Sequence, residues 1–144
     1  NVHAAGGREM MRRASQAVRE ISPDTKVIAV TQLTSTSPQM LREELLIDAP
    51  MTEAVSSYAQ NAKSAGLDGV VCSAFEAPDV SKLGLISVTP GIRFAGGSAD
   101  DQKRVVTPDK ARELGSDYIV MGRAITGAAD KLAAYRRAVS EFCG

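Results

Sequence analysis

The sequence contains few of the residues that mark metal-binding or disulfide-bonded proteins. Of its 144 residues, none is tryptophan, one is histidine and two are cysteine. Cys72 and Cys143 lie far apart in the sequence and form neither a disulfide framework nor a ligand motif. The single histidine, His3, has no second histidine or clustered cysteine beside it, so we expect a structural residue and no metal site.

The chain also lacks an excess of charge and a long apolar run. Its 17 Lys and Arg residues balance its 17 Asp and Glu residues, which leaves no basic field for nucleic acid or an anionic membrane. No apolar run approaches the roughly 20 residues of a membrane span, and residues 1–7 do not form a signal peptide. We therefore expect no nucleic-acid partner, no membrane partner, and a cytoplasmic protein with reduced cysteines.

Short apolar runs alternate with longer amphipathic segments, which is typical of an α/β protein. The runs at 26–31, 69–73, 85–89 and 117–121 are largely β-branched, which predicts strands buried on both faces of a parallel sheet. With a strand end at the N-terminus, they predict about five parallel strands joined by right-handed helical crossovers. A full (β/α)8 TIM barrel usually needs about 200–250 residues. Residues 1–144 therefore fit either a single incomplete barrel domain, a little over half of a barrel, or a small open sheet, and length and pattern alone do not separate the two.

Helical spacing of apolar residues marks the segments between these runs. The spacing predicts helices over 9–20 and 52–65, and a further helix at the C-terminal end of the chain. Thr107, Pro108 and Asp109 form a typical helix start, and Gly115 a typical stop. The predicted apolar stripe of the first helix consists of Met10, Ala14, Val18 and Ile21.

A weak internal repeat supports the same architecture. Segments 65–71 and 114–120 both run from a helix end through a glycine and an aspartate into a buried strand. Two such segments in one chain predict repeated αβ units.

Ligands of parallel α/β proteins bind at the carboxyl ends of the strands, so the loops there are candidate sites. Segment 31–37 is rich in hydroxyl groups, which either contact a polar ligand or cap a helix. The connection 90–106 is long for an αβ unit, and Arg93 within it suits bidentate phosphate binding; the alternative is a solvated loop. Gly122 and Arg123 follow the last strand, where phosphate sites recur in barrels.

Several motifs occur in order along the whole chain. They are Asn-Val-His-Ala-Ala-Gly-Gly at 1–7, Val-Thr-Gln-Leu-Thr-Ser at 30–35, Asp-Gly-Val-Val-Cys-Ser at 68–73, Thr-Pro-Gly-Ile-Arg at 89–93 and Asp-Tyr-Ile-Val-Met-Gly-Arg at 117–123. Together with Asp101, Gln102 and Val105, these motifs resemble bacterial orotidine 5′-monophosphate decarboxylases. The Thr-Pro-Gly-Ile-Arg and Gly-Arg motifs, with Gln102 between them, are specific as a set.

The resemblance implies a (β/α)8 barrel of pyrimidine biosynthesis. Such an enzyme is a lyase that converts orotidine 5′-monophosphate to uridine 5′-monophosphate and CO2 without metal or cofactor. By resemblance, Thr34 contacts the pyrimidine and Pro90 packs beside the base. The residues that match phosphate contacts are Arg93, Gln102, Gly122 and Arg123.

The chain departs from the family in its catalytic residues. The family motif Asp-x-Lys-x-x-Asp does not occur in the 144 residues, and the resemblance covers strands four to eight only. In the family that Lys protonates the carbanion left by CO2, so we expect the isolated chain to be inactive. Two hypotheses remain open: the C-terminal part of a decarboxylase, or a non-catalytic half-barrel that binds nucleotide phosphate. An open sheet edge favours a homodimer or pairing with the missing N-terminal segment.

Overall fold

Five short strands alternate with helices in the computed structural model, which describes residues 1–96 and 105–144. A 3₁₀ turn at Ala4–Gly6 follows the first strand. The strands are β1 (Val2–His3), β2 (Ile28–Val30), β3 (Gly69–Val71), β4 (Ile86–Thr89) and β5 (Tyr118–Ile119). The helices are α1 (Gly7–Ile21), α2 (Pro38–Glu43), α3 (Met51–Ser64), α4 (Ala77–Lys82), α5 (Pro108–Glu113), α6 (Arg123–Thr126) and α7 (Lys131–Cys143).

The strands of the described chain are all parallel and lie in sequence order, β1-β2-β3-β4-β5. Crossovers between parallel strands are right-handed, so a sheet that always advances in one direction carries its helices on one face. A doubly wound open sheet instead reverses its strand order at a switch point. Of the two architectures that the sequence leaves open, the structure therefore has that of part of a (β/α)8 barrel.

The core lies between the sheet and the helices. Ala29 of β2 and Val70 of β3 are fully buried and pack in one cluster with Met11 of α1 and Val55 of α3. A smaller cluster after β4 is built around Ile92, and includes residues of α5 and α7. These two clusters fix the helix layer against one face of the sheet.

The two faces of the sheet differ in burial. Ala29 and Val70, which are paired in register, face the helices and have no exposed surface. Val30, Val71 and Val88 form the next row in register and are only half buried. Side chains alternate between faces along a strand, so this second row belongs to the face turned away from the helices.

The internal repeat seen in the sequence corresponds to repeated structure. In both units a glycine with positive φ, Gly66 at +77° or Gly115 at +82°, ends the helix in the left-handed conformation that favours glycine. In both units the aspartate accepts a hydrogen bond from a backbone N–H near the start of the preceding strand. The pairs are Val27 N–H to Asp68 Oδ2 and Ser87 N–H to Asp117 Oδ2, each 2.8 Å long.

Two short helices and one helix face differ from the prediction. The sequence analysis predicts neither α2 nor α6. The predicted stripe on α1 is correct in part: Ala14 and Val18 are half buried and Val18 packs against the core, but Met10 is 37% exposed and Ile21 is 88% exposed. The helix instead buries Met11 and Ser15, and the Ser15 hydroxyl donates to Gly66 O at 3.4 Å. The Ser15 hydroxyl can be buried here because Gly66 O accepts its hydrogen bond.

The described residues contain no helix that could span a membrane, no disulfide and no metal-binding cluster. None of the helices there is long and apolar enough to cross a membrane. Cys72 is buried, Cys143 is exposed, and neither is in a disulfide. No group of three or more His, Cys, Asp or Glu side chains within 1–96 and 105–144 is placed to hold a metal ion.

Candidate functional site

The carboxyl ends of the strands lie along one edge of the sheet, because the strands are parallel. At the end of β5, Val120 N–H donates to Thr89 O of β4 at 2.8 Å, which continues the pairing to the last residues of both strands. The segments that carry Arg93 and Arg123 therefore leave the sheet side by side.

Arg93 is held at the base of the long connection by a short ladder. Ile92 and Val106 form a parallel bridge, Arg93 N–H donates to Val106 O at 3.1 Å, and Val106 N–H donates to Gly91 O at 3.3 Å. Ile92 is fully buried, whereas Arg93 is half buried. The Arg93 Nη1 donates to Ile92 O at 2.8 Å, which uses one of the five N–H donors of the guanidinium.

A cavity of about 210 Å³ lies between the two arms of this connection. Arg93 and Phe94 line it from the incoming arm, and Val106 and Thr107 line it from the outgoing arm. The Thr107 hydroxyl hydrogen-bonds Asp109 and thereby holds the pKa of that exposed carboxyl below its ordinary value. On α1, away from this edge, hydrogen bonds from Arg12 and Arg13 lower the pKa of Glu9.

Gly122 and Arg123 form the turn between β5 and α6. Both residues are exposed, and Gly122 O accepts from Ile125 N–H at 2.9 Å, which closes the first turn of α6. A Cβ added at Gly122 would meet no atom within 4 Å. The space beside the Gly122 backbone in the Cβ direction is therefore open.

Thr34 and Pro90 follow β2 and β4 at the same edge. Thr34 lies in a tight turn closed by Thr36 N–H to Leu33 O at 3.0 Å, and only 4% of Thr34 is exposed. Pro90 is half buried directly after β4. Gln102, the remaining predicted ligand, lies outside the described residues, as does the centre of the 90–106 connection.

Capping, the alternative function for the hydroxyls of 31–37, is observed at Ser37. The Ser37 Oγ accepts from Met40 N–H at 3.2 Å and caps α2. Thr31 also serves the fold, because its Oγ1 donates to Val71 O at 2.7 Å. These bonds account for two hydroxyls of the segment, and the ligand contact of Thr34 stays a prediction.

Sequence reasoning missed a buried carboxylate at the end of β3. Glu76 Oε2 accepts from Ser73 N–H at 2.7 Å and from Ser73 Oγ at 2.5 Å, and both residues are buried. The Ser-x-x-Glu spacing is that of a capping box, which is the signal that could have found the pair. The carboxylate fixes the turn between β3 and α4, beside the segments that carry Thr34 and Arg93.

A larger cavity of about 440 Å³ lies between β5, α6 and α7. Among the described residues its lining is apolar and aromatic, with Ile125, Tyr135 and Phe142 and no charged side chain. A phosphate group requires charge-assisted hydrogen bonds, so this cavity does not fit one.

The sequential parallel sheet, with two arginine-bearing loops at its carboxyl edge, defines part of a β/α barrel. Residues 1–138 match the model of the orotidine 5′-phosphate decarboxylase / HUMPS family, and the chain belongs to this family.

Curated relatives carry the same family name. The chain is 55% identical over 151 residues to orotidine 5′-phosphate decarboxylase of Bacillus caldolyticus, covering 100% of this chain and 62% of that protein. It is 51% identical over 148 residues to the enzyme of Listeria monocytogenes, covering 99% of this chain and 64% of that protein. The chain thus spans less than two thirds of the length of these relatives.

Solved structures agree with the fold. The crystal structure of orotidine 5′-phosphate decarboxylase from Lactobacillus acidophilus is 39% identical, with a TM-score of 0.82 over 99% of this chain and 62% of that one. An uncharacterized conserved protein from Geobacillus kaustophilus is 47% identical, with a TM-score of 0.78 over 99% of this chain and 62% of that one. The decarboxylase of Pyrococcus horikoshii, at 18% identity and a TM-score of 0.57 over 99% of this chain and 70% of that one, supports the fold alone.

Proposed function

We propose that this chain forms the nucleotide-binding part of an orotidine 5′-monophosphate decarboxylase, which releases CO2 and leaves uridine 5′-monophosphate. One observation carries the proposal: the segments with Arg93 and Arg123 leave adjacent parallel strands at one edge, in a chain 55% identical to a named decarboxylase over its whole length. Two guanidinium groups at one edge suit a phosphate monoester, because each can donate two parallel N–H bonds to its oxygens.

Each predicted site residue has a distinct role in the proposal. Arg93 and Arg123 neutralise the phosphate, and Gln102 adds an amide contact. Gly122 leaves its backbone open to a phosphate oxygen, which agrees with the empty space where its Cβ would be. Thr34 and Pro90 contact the pyrimidine from the ends of β2 and β4. The chain thereby binds and orients the nucleotide.

Decarboxylation itself needs a proton donor that the 144 residues do not provide, since they contain no Asp-x-Lys-x-x-Asp motif. Phosphate contacts supply binding energy, which accelerates the reaction only when groups at the reacting carbon use it. On this proposal the chain is part of a single barrel domain and acts in the cytoplasm in pyrimidine biosynthesis. It does so as a dimer or paired with a polypeptide that carries the motif.

The test compares uridine 5′-monophosphate with uridine, which lacks the phosphate. Arg93→Ala and Arg123→Ala should each weaken binding of the nucleotide by about 1.5–3 kcal/mol and leave binding of uridine nearly unchanged, because each removes a charge-assisted hydrogen bond. Calorimetric titration of both ligands measures the difference.

Arg136→Ala is the matched control for this test. Arg136 is an exposed arginine of α7 and is not among the proposed phosphate contacts, so its substitution removes the same charge from a residue outside the proposed site. It should change neither affinity by more than a few tenths of a kcal/mol. Equal losses for nucleotide and nucleoside in the Arg93 and Arg123 variants would refute the phosphate assignment.

A further inference from the structure

Arg137 of α7 contacts the incoming arm of the long connection. Its guanidinium carbon lies 4.2 Å from the centroid of the Phe94 ring, which is the geometry of a cation–π contact. Its Nε also donates to Glu141 Oε1 at 2.6 Å, one turn further along the helix. The Glu141 carboxylate therefore holds one edge of the Arg137 guanidinium, and the face of that guanidinium covers the Phe94 ring.

Helix α7 provides a fixed base for this contact. Ala138, the residue after Arg137, is 5% exposed, and Phe142 packs against the cluster formed by Ile92 and Ala111. Ile92 directly precedes Arg93 and is fully buried in the same cluster. The helix that holds Phe94 and the strand end that holds Arg93 are thus packed against one another.

Phe94 follows Arg93 directly, so two different contacts hold the chain on the two sides of Arg93. On the N-terminal side, Arg93 N–H is bonded to Val106 O; on the C-terminal side, the Phe94 ring is held by Arg137. Ile92 and Phe94 both contact the helix layer, through the cluster at Ala111 and through Arg137. The Arg93 guanidinium between them donates to Ile92 O.

We propose that Arg137 is a positioning residue for phosphate binding, which acts by fixing Phe94 and thereby the direction of the Arg93 side chain. This inference rests on the proposed function, in which Arg93 contacts the phosphate. Arg137 does not itself contact the ligand. Its removal frees the turn at Phe94–Gly96 and with it the orientation of the neighbouring guanidinium.

The first measurement is the affinity for uridine 5′-monophosphate and for uridine. Arg137→Ala and Phe94→Leu should each weaken nucleotide binding about two- to five-fold, the range of an exposed cation–π contact, and leave uridine binding unchanged. The double variant should lose no more than either single variant, because both remove the same contact. Phe94→Tyr keeps the ring and should bind as the wild type does. Arg136→Ala removes an equal charge from the same helix and should have no effect.

The second measurement reports the contact without any ligand. The chain contains no tryptophan, so Phe94→Trp introduces a single reporter at this position. Its fluorescence anisotropy should fall when Arg137→Ala is added and should not change when Arg136→Ala is added. Melting temperatures should stay equal, since Arg136 and Arg137 are both exposed.

The outcomes separate this inference from the function on which it rests. If the wild type prefers nucleotide to nucleoside and Arg137→Ala keeps that preference in full, the positioning role is overturned and the proposed function stands. If the wild type shows no such preference, the proposed function fails, and the positioning role fails with it. An anisotropy that Arg137→Ala leaves unchanged overturns the anchoring of residue 94 by Arg137, whatever the affinities are.

Discussion

Some polar side chains at the carboxyl edge of the sheet form hydrogen bonds within the protein, and others are suited to contact a ligand. The hydroxyls of Thr31 and Ser37 bond backbone groups of β3 and α2, and Ser73 bonds the Glu76 carboxylate. These bonds shape the turns after the strands. Arg93 and Arg123 bring positive charge to the same edge. Because the Arg93 backbone is fixed, less conformational entropy would be lost if its side chain contacted a phosphate.

Leu46 is a residue in an unfavourable backbone conformation. Its φ of 56° lies in the left-handed region, which costs a residue with a Cβ about 1–2 kcal/mol. The residue lies just after α2, where Ile47 N–H donates to Leu41 O at 2.9 Å, and 83% of its surface is exposed. The turn rather than any packing of the side chain therefore holds this conformation.

We predict that Leu46→Gly stabilises the protein. Glycine adopts the left-handed conformation without strain, although its freer unfolded chain offsets part of the gain. The expected increase in the free energy of unfolding is about 0.5–1 kcal/mol, measured by urea denaturation. Leu45→Gly, at a neighbouring position outside the left-handed region, should instead lower the stability. A loss of stability in both variants would contradict the strain at Leu46.

In both repeated units of this chain, the same two features join the helix to the strand that follows it. A left-handed glycine ends the helix, and an aspartate two residues later bonds the start of the preceding strand. At Asp117 the bond is reciprocal, because Ser87 Oγ also donates to Asp117 Oδ2 and accepts from Asp117 N–H, each at 2.9 Å. Each aspartate thereby sets how two neighbouring strands align.

We predict that Asp117→Ala lowers the free energy of unfolding by about 1–3 kcal/mol. The reason is that Ser87, which is 1% exposed, would keep a buried N–H without its acceptor. Asp117→Asn keeps an acceptor oxygen and should lose less. Asp68→Ala should show a loss similar to that of Asp117→Ala, because Val27 N–H loses its acceptor in the same way.

Asp79→Ala is the control for these aspartate variants. Asp79 forms an exposed ion pair with Lys82 at 2.7 Å, and such pairs contribute about 0–1 kcal/mol. Denaturation in urea compares all four variants. Equal small losses at Asp79, Asp68 and Asp117 would show that the repeated bonds do not hold the strands.

The molecule as a whole has one covered and one half-covered sheet face. Val30, Val71 and Val88 are only half buried on the face away from the helices, and Tyr118 and Val120 near the edge strand are 59% and 49% exposed. In the described sheet β1 and β5 are the edge strands, and edge strands favour association. Burial of the half-covered apolar surface would supply free energy for the proposed pairing with a second polypeptide.

We predict that the 144-residue chain alone does not decarboxylate orotidine 5′-monophosphate, and that a polypeptide carrying the Asp-x-Lys-x-x-Asp motif of a relative restores activity. On the proposed function, the chain would bind and orient the nucleotide, and the added Lys would supply the proton. The assay follows the ultraviolet absorbance of the substrate with each polypeptide alone and with the mixture. The control is the same mixture with that Lys replaced by Ala, which should stay inactive.

Two results would contradict this prediction at different points. Activity of the chain by itself would show that its own residues supply the proton. A silent mixture of two soluble polypeptides would show that the parts do not assemble, and would leave the family membership intact.

Local patterns in the sequence determined which segments form strands and most of the helices. Continuous β-branched runs predicted β2 to β5, and the Gly-x-Asp pattern predicted the repeated unit, because backbone hydrogen bonding and side-chain periodicity act within a few residues. The motifs around Arg93 and Arg123 likewise determined the family. The α6 helix was missed because it is a single turn of four residues with no side-chain cap.

Only the tertiary structure decided which surfaces meet. It buries Ser15 instead of Met10 because Gly66 O, far away in the sequence, provides an acceptor for the hydroxyl. It places Arg137 over Phe94, a contact that no local pattern indicates because α7 reaches the connection only through packing. It also selects a barrel-type sheet over an open one, since strand order depends on where each crossover returns, and local patterns do not encode that.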